Sequence, residues 1–177
     1  MLETIITSKT RIKLLLKFFL NSNNDSYLRG LESEFSEGSN AIRMELNKFQ
    51  EAGLLDSSVV GNKKMFKANK SHPLFSDLHS LVKKYIGLDK IVDSIAEKAG
   101  DVNSVYVVGR IAQGLEASII ELVLVGEHID KIYLTKLIDK VEGLISRKIT
   151  FVIFDELAYK EFEKNSSKRT FLLYHKK

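Results

Sequence analysis

The chain has 177 residues, 44% of them hydrophobic and 28% charged, with a formal net charge of +4 at pH 7. This composition is typical of folded globular proteins and excludes a disordered polar chain. The absence of cysteine excludes a disulfide framework and a cysteine-based zinc site, and the four histidines lack the spacing of metal ligands. We therefore expect neither a metal nor a cofactor.

The sequence predicts a cytoplasmic protein without a membrane partner. Its first ten residues, MLETIITSKT, lack the basic start and continuous apolar core of a signal peptide. The longest apolar runs, such as LLL at 14–16, are far too short to span a membrane. Residues 1–70 contain 11 Lys/Arg and 8 Asp/Glu, a basic excess too small to establish DNA binding by itself.

The first part of the chain predicts three helices and a hairpin. Ser8 is a suitable cap for the first helix, and apolar residues then recur at helical spacing. Turns rich in Asn, Ser and Gly separate the helices, and two β-prone runs surround Gly61-Asn62-Lys63-Lys64. The predicted elements are helices over 8–20, 26–35 and 41–53 and a hairpin over 54–69.

The third predicted helix has one buried face and one open face. Ile42, Leu46 and Phe49 recur at the spacing of a buried stripe, with Ser39 or Asn40 as the expected cap and Gly53 at the end. The residues away from the stripe are Asn40, Arg43, Met44, Asn47 and Lys48. Three helices followed by a basic hairpin are the order of a winged helix-turn-helix, which reads DNA with its third helix and holds phosphate with its hairpin.

The run SNAIRMELNKFQEAGLLDSSVVGNKKMFKANKSHPLF resembles the ArsR-like winged-helix regulators, over about residues 8–75. The Ala-Gly-Leu turn after the third helix and the Ala-Asn-x-x-His-Pro-Leu exit from the hairpin carry the resemblance. It implies that Arg43 reaches base edges, helped by Asn40 and Asn47, while Lys63 and Lys64 hold phosphate. The candidate DNA-binding residues are Ser39, Asn40, Arg43, Asn47, Lys48, Lys63 and Lys64.

Two alternatives stay open for this region. Some winged helices serve protein–protein contact instead of DNA binding, and a single exposed arginine such as Arg43 is often an ordinary surface charge. The predicted helices carry no cluster of Cys or His of the metal-sensing kind. The DNA-binding interpretation therefore depends on the helix and the hairpin together.

Residues 73–100 predict a helical connector. Pro73, the only proline, breaks the preceding structure, and Gly87 is the expected break within the helical stretch. The broad apolar stripe of the connector suits dimerisation with a second copy, packing within the chain, or both. A homodimer suits a DNA-binding module because one reading helix contacts only a half-site.

From residue 101 the pattern changes to apolar strands alternating with helices. The expected strands are 104–109, 119–126, 148–154 and 170–174, and the expected helices are 130–145 and 155–165. Continuous apolar strands indicate a sheet covered by helices. The whole chain is thus predicted as α+β, with a winged helix over 1–72, the connector, and an α/β domain with a mixed sheet over 101–177.

The stretch VVGRIAQGLEASIIELVLV resembles the minimal nucleotidyltransferases of the antitoxin and kanamycin-resistance type. Gly109, Ala112 and Gly114 stand where that family has its glycines and alanine. The family's serine is replaced by Arg110, its first aspartate by Ile119 and its third by Thr150. Only Glu121 keeps a carboxylate, which is too few ligands for the two magnesium ions of the family.

These observations predict a DNA-binding regulator whose second domain is nucleotidyltransferase-like but not an enzyme, with no catalytic residue. That domain would serve as a scaffold, a dimer contact or an effector sensor. A phosphate or nucleotide effector could still bind at Gly109, Arg110 and Glu121, although Arg110 could equally be a surface charge paired with Glu121. The alternatives are an active or residual nucleotidyltransferase and an antitoxin-like module that binds a protein.

Overall fold

The computed structural model describes residues 2–98, 101–145 and 147–176, which form two compact units. The first unit comprises Met1–Tyr85 and Gly114–Glu116, and the second comprises Ile86–Gln113 and Ala117–Lys177. Both units combine helices with a sheet, so the predicted α+β class is confirmed. Within the described ranges, no helix is long and apolar enough to cross a membrane.

The first unit packs helices against a small antiparallel sheet. Its helices are α1 (Leu2–Ile5), α2 (Lys9–Leu15), α3 (Leu28–Phe35), α4 (Ser39–Glu51) and α5 (Phe75–Ile86), with a π-helical turn over Leu16–Leu20. Its strands are β1 (Asp25–Tyr27), β2 (Leu55–Val60) and β3 (Lys63–Ala68), in the order β1-β3-β2. The element order matches the predicted one apart from α1 and β1, which the sequence pattern did not indicate. Assignment of this unit to the winged-helix class stays a prediction.

The helix boundaries in the first unit differ from the predicted ones for local reasons. Ser8 caps α2 by accepting a hydrogen bond from the Arg11 amide at 3.2 Å, as predicted. The second helix begins two residues late, because Ser26 and Tyr27 pair with β3 instead. The N-cap of α4 is Gly38, so the predicted cap at Ser39 or Asn40 is wrong.

Helix α4 ends just before Gly53, as the sequence predicts, and its C-terminus forms a Schellman motif. Gly53 has φ +72°, a left-handed conformation that favours glycine. Its amide donates to the Gln50 carbonyl and the Leu54 amide donates to the Phe49 carbonyl, each at 2.9 Å. This turn sends the chain directly into β2, so it fixes where the hairpin starts relative to α4.

The core of the first unit is made by α2, the π-helical turn, α3 and α4. Its fully buried apolar residues include Leu14, Phe18, Phe19, Leu31, Ile42 and Leu46. Two ion pairs reinforce this packing: Arg11 with Glu45 at 2.8 Å, and the buried Lys17 with Glu34 at 2.6 Å. From α5, Phe75 and His79 contact Phe19. Val82, a member of the predicted apolar stripe of the connector, is fully buried, so part of that stripe packs within the chain.

The second unit contains a four-stranded mixed sheet. Its strands are β4 (Val102–Val108), β5 (Ile119–Gly126), β6 (Lys148–Phe154) and β7 (Thr170–His175), in the order β6-β5-β4-β7. Strands β5 and β6 are parallel, and the other pairs are antiparallel. Its helices are α6 (Leu88–Lys98), α7 (Gly109–Ala112), α8 (Lys131–Ile145) and α9 (Glu156–Asn165). The mixed sheet and its strand positions confirm the prediction for this part of the chain.

Two aspartates and one glycine set the helix ends in the second unit. Asp130 accepts hydrogen bonds from the Ile132 and Tyr133 amides at 3.0 Å, and Asp155 accepts one from Ala158 at 2.8 Å. Gly87 separates α5 from α6 with φ +91°, as predicted for a break in the helical stretch. The boundaries predicted at 72 and 100 differ from those of the two compact units, and the three-domain division stays a prediction.

The Arg11–Glu45 pair makes the stability of the chain depend on pH. Burial raises the pKa of Glu45, but the hydrogen bond and charge of Arg11, with Lys48, lower it below the usual value of 4.5 on balance. A lowered folded-state pKa stabilises the fold above the unfolded-state pKa, and this contribution is lost as pH falls through the folded-state value. We expect Glu45→Gln to lower the free energy of unfolding by about 1–2 kcal/mol at pH 7.

Urea denaturation of the wild type and of Glu45→Gln at pH 7 and at steps below pH 4.5 measures this contribution. The difference between the two proteins should shrink as the pH falls. Glu51→Gln, at an exposed position on the same helix, is the matched control and should change stability by less than about 0.5 kcal/mol. A difference for Glu45→Gln that is constant with pH would contradict the electrostatic origin.

Candidate functional site

A groove between α4 and the β2–β3 hairpin is the first candidate site, with a volume of about 460 Å³. It collects side chains that are far apart in sequence, from β1, the start of α3, α4 and the hairpin. The lining residues are Tyr27, Leu28, Arg29, Arg43, Leu46, Asn47, Asn62, Lys63, Lys64 and Phe66.

The buried stripe of α4 determines which side chains of that helix enter the groove. Ile42, Leu46 and Phe49 are buried, which turns Arg43 and Asn47 outward. These two residues are four positions apart and therefore lie one above the other on the same helix face. The groove thus receives a guanidinium and an amide side by side from a rigid helix.

Two contacts position the hairpin lysines at the groove. The Lys63 ammonium lies 4.3 Å from the centre of the Tyr27 ring, a cation–π contact. The Lys64 ammonium donates to the Gln50 side chain at 2.7 Å and lies 5.1 Å from the Phe66 ring centre. Since Gln50 belongs to α4, this hydrogen bond ties the hairpin directly to the helix.

The groove is positively charged. Arg29, Arg43, Lys63 and Lys64 line it, and the described residues of its lining include no acidic side chain. Four cations within one concave surface favour a polyanion, and the Arg and Asn side chains add donors and acceptors in fixed positions. The groove can therefore bind phosphate groups through its cations. Its Arg and Asn side chains can form hydrogen bonds to planar polar groups of the same ligand.

The structure brings together four of the seven predicted DNA-binding residues. Arg43, Asn47, Lys63 and Lys64 meet in the groove, whereas Ser39, Asn40 and Lys48 do not line it. Asn40 and Lys48 are exposed on α4, and the Lys48 ammonium lies 3.6 Å from Glu45. Whether any of the seven contacts DNA stays a prediction.

Six of the ten lining residues were not among the predicted DNA-binding residues, and three of these six carry polar groups: Tyr27, Arg29 and Asn62. Tyr27 lies in β1, which was predicted as part of a helix, and it reaches the groove because β1 pairs with β3. Arg29 follows in the first turn of α3, and Asn62 forms the tip of the hairpin. Asn62 could have been found from its place in the hairpin turn, but no sequence signal indicated Tyr27 or Arg29.

A second cavity, of about 370 Å³, lies in the second unit beside Glu121. Glu121 and Thr150 are register partners on the parallel strands β5 and β6. The Lys168 ammonium forms an ion pair with the Glu121 carboxylate. Aromatic and aliphatic side chains, among them Val123, Phe154 and Phe162, form much of the remaining wall, together with the polar segment 165–167.

Gly109 lies directly against Glu121. It has φ +70°, and a side chain added there would collide with the Glu121 carboxylate. The Gly109 amide donates to the Arg169 carbonyl at 3.2 Å. The glycine predicted as part of a phosphate-binding remnant is therefore a close neighbour of the predicted carboxylate, although Gly109 does not line the cavity.

The predicted partnership between Arg110 and Glu121 is wrong. Glu121 pairs with Lys168, which is 47 residues away in sequence and was not singled out by any motif. Arg110 is exposed on the short helix α7 and does not line the cavity beside Glu121. In the part of the chain that the structure describes, no group of three or more His, Cys, Asp or Glu residues is arranged to hold a metal ion.

No family model and no curated protein matches this chain. Solved structures that are similar to it include the following two. A toxin–antitoxin structure with AMP-PNP is 14% identical, with a TM-score of 0.40, and the match covers 50% of this chain and 73% of that one. A candidate nucleotidyltransferase from Sulfolobus solfataricus is 17% identical, with a TM-score of 0.38, covering 57% of this chain and 88% of that one.

The prediction that this chain is not an enzyme is contradicted by its likeness to a candidate nucleotidyltransferase, and we withdraw it. At these TM-scores neither similar structure assigns a ligand or a residue role to the chain. The candidate sites are therefore defined by their own geometry.

Gly109 and Gly143 provide a matched pair of substitutions in the second unit. Gly109→Ala should lower the free energy of unfolding by about 1–2 kcal/mol, because alanine is strained at a positive φ, and should displace Glu121 from Lys168. Gly143→Ala, within α8 and with open space around it, should instead raise stability by up to about 1 kcal/mol. Urea denaturation measures both, and equal effects of the two substitutions would contradict the role given to Gly109.

Proposed function

We propose that this protein binds duplex DNA through α4 and the β2–β3 hairpin. The observation that carries the proposal is the groove in which Arg43 and Asn47 meet Lys63 and Lys64. A base-reading pair on a helix beside phosphate-binding lysines on a hairpin is the arrangement that a winged helix-turn-helix uses.

The dimensions and chemistry of α4 suit the major groove. A helix of 13 residues is about 20 Å long, and the major groove, about 12 Å wide, accepts one α-helix. Arg43 can donate two hydrogen bonds to a guanine edge, and Asn47 can form a bidentate pair with adenine. Lys63 and Lys64, held beside the helix by Tyr27 and Gln50, would contact the flanking phosphates.

Two points of the sequence-based interpretation belong to this proposal. A homodimer would place two copies of α4 on the half-sites of a two-fold symmetric sequence, about 34 Å apart. A nucleotide or another small molecule could act as an effector through the second unit. Regulation of transcription in the cytoplasm would be the biological role of such binding.

The hairpin lysines provide the test of DNA binding. Lys63→Ala/Lys64→Ala should weaken binding to duplex DNA of any sequence and reduce the slope of log affinity against log salt by about two, because two phosphate contacts are lost. Fluorescence anisotropy with a labelled duplex at several salt concentrations measures both quantities.

Lys136→Ala/Lys140→Ala is the matched control, since it removes the same charge from exposed positions on α8. The control should leave the slope unchanged. If wild-type binding does not depend on salt, or if the two double variants weaken it equally, α4 and the hairpin do not form the DNA-binding surface.

The second cavity favours a second candidate function, nucleotide binding with nucleotidyl transfer. The Lys168 ammonium offers a partner for phosphate, Glu121 offers a carboxylate, and Phe154 and Phe162 offer apolar surface for a base. A cavity of about 370 Å³ lies within the range of small-molecule sites. Transfer would attach a nucleoside monophosphate from a nucleoside triphosphate to an acceptor and release pyrophosphate.

Incubation with α-labelled nucleoside triphosphates and Mg²⁺ tests this second candidate. Labelled product should form with at least one of the four nucleotides, and Glu121→Gln should reduce it at least tenfold, because the variant loses the charge that faces Lys168. Glu127→Gln, an exposed position just after β5, is the matched control and should retain activity. The absence of transfer with all four nucleotides would rule the activity out.

A further inference from the structure

We infer that Met44 reads thymine, by packing its side chain against the C5 methyl group in the major groove. The inference rests on the proposed DNA binding and extends it to base preference. The side chain of Met44 is 60% exposed, whereas the other large apolar side chains of α4, Ile42, Leu46 and Phe49, are at most 5% exposed. A large apolar group on the polar, outward face of this helix has no role in the core of the unit.

The position of Met44 places it beside the base-reading side chains. It is adjacent to Arg43 in sequence and three residues before Asn47, so Met44 and Asn47 are neighbours on the helix surface. Arg43 and Asn47 are also neighbours, at a separation of four residues. Asn47 therefore lies between Arg43 and Met44 on the helix surface, and Met44 is just outside the groove that Arg43 and Asn47 line. A base contacted by Met44 would adjoin the base contacted by Asn47.

The chemistry of the major groove explains why an apolar side chain would be useful there. Guanine, cytosine and adenine present hydrogen-bond donors and acceptors in this groove, and the thymine methyl is the apolar group. A methionine has three rotatable bonds and an adaptable thioether, so it can cover a methyl group without a fixed docking geometry. A cytosine in the same position would leave the Met44 side chain against a polar edge.

Arg43, Asn47 and Met44 together predict which bases a half-site contains. A half-site for this protein would contain a guanine for Arg43, an adenine for Asn47 and a thymine for Met44, within the few base pairs that one helix spans. The hairpin lysines would add affinity on either side without preferring a sequence. Base preference would therefore come from α4 alone.

Replacement of thymine by deoxyuridine tests this inference, because deoxyuridine pairs identically and lacks only the C5 methyl. A duplex enriched by the wild-type protein from a random pool is substituted at one thymine at a time, and affinity is measured by anisotropy. At one position in each half-site, deoxyuridine should weaken wild-type binding about fourfold, the effect of one lost methyl contact.

Three variants complete the test. Met44→Ala should bind the thymine duplex less tightly and lose the sensitivity to deoxyuridine at that position, while Met44→Leu should keep it. Ile5→Ala, which removes an apolar side chain that is 78% exposed on α1, should behave like the wild type. Because Met44 is exposed, its variants should fold, and thermal unfolding checks this.

The outcomes separate this inference from the proposed function. If no duplex is enriched and no salt-dependent binding occurs, both are overturned. If the protein binds DNA but tolerates deoxyuridine at every position, only the role of Met44 is overturned. Sensitivity that persists undiminished in Met44→Ala also overturns it, since another residue must then contact the methyl group.

Discussion

Burial of one face of α4 is the constraint on which the first unit depends. Ile42, Leu46 and Phe49 pack into a core shared with α2 and α3, and the Arg11–Glu45 pair reinforces the contact with α2. A helix held in this way cannot rotate without exposing its apolar stripe to water. The outward direction of Arg43, Met44 and Asn47 therefore follows from packing on the opposite side.

The turn after α4 transmits this constraint to the hairpin. Gly53 closes the helix in a left-handed conformation, and β2 begins two residues later. The hydrogen bond from the Lys64 ammonium to the Gln50 side chain then holds the hairpin beside α4. A helix with a fixed open face and a hairpin tied to it by this hydrogen bond together form the basic groove.

In the second unit, the pairing of strands determines the surroundings of Glu121. Parallel pairing of β5 with β6 places Thr150 opposite Glu121, and antiparallel pairing of β5 with β4 places Val108 on its other side. The carboxylate lies at a cavity whose other wall comes from α9 and the segment after it, where Lys168 is located. Lys168 thus neutralises the Glu121 carboxylate, whose charge would otherwise be uncompensated beside the apolar side chains of the cavity.

The sequence by itself determined most of the elements, because helical and strand periodicity, the glycines at 53 and 87 and the aspartates at 130 and 155 act locally. It also separated the buried stripe of α4 from its open face, since that pattern has the period of a helix. Only the tertiary structure decided that Tyr27 and Arg29 join the groove and that Lys168, not Arg110, faces Glu121. The contact between Tyr27 and Lys63 joins residues 36 positions apart, and the pair of Glu121 and Lys168 joins residues 47 positions apart. Such contacts depend on how strands pair and helices pack, which no local pattern records.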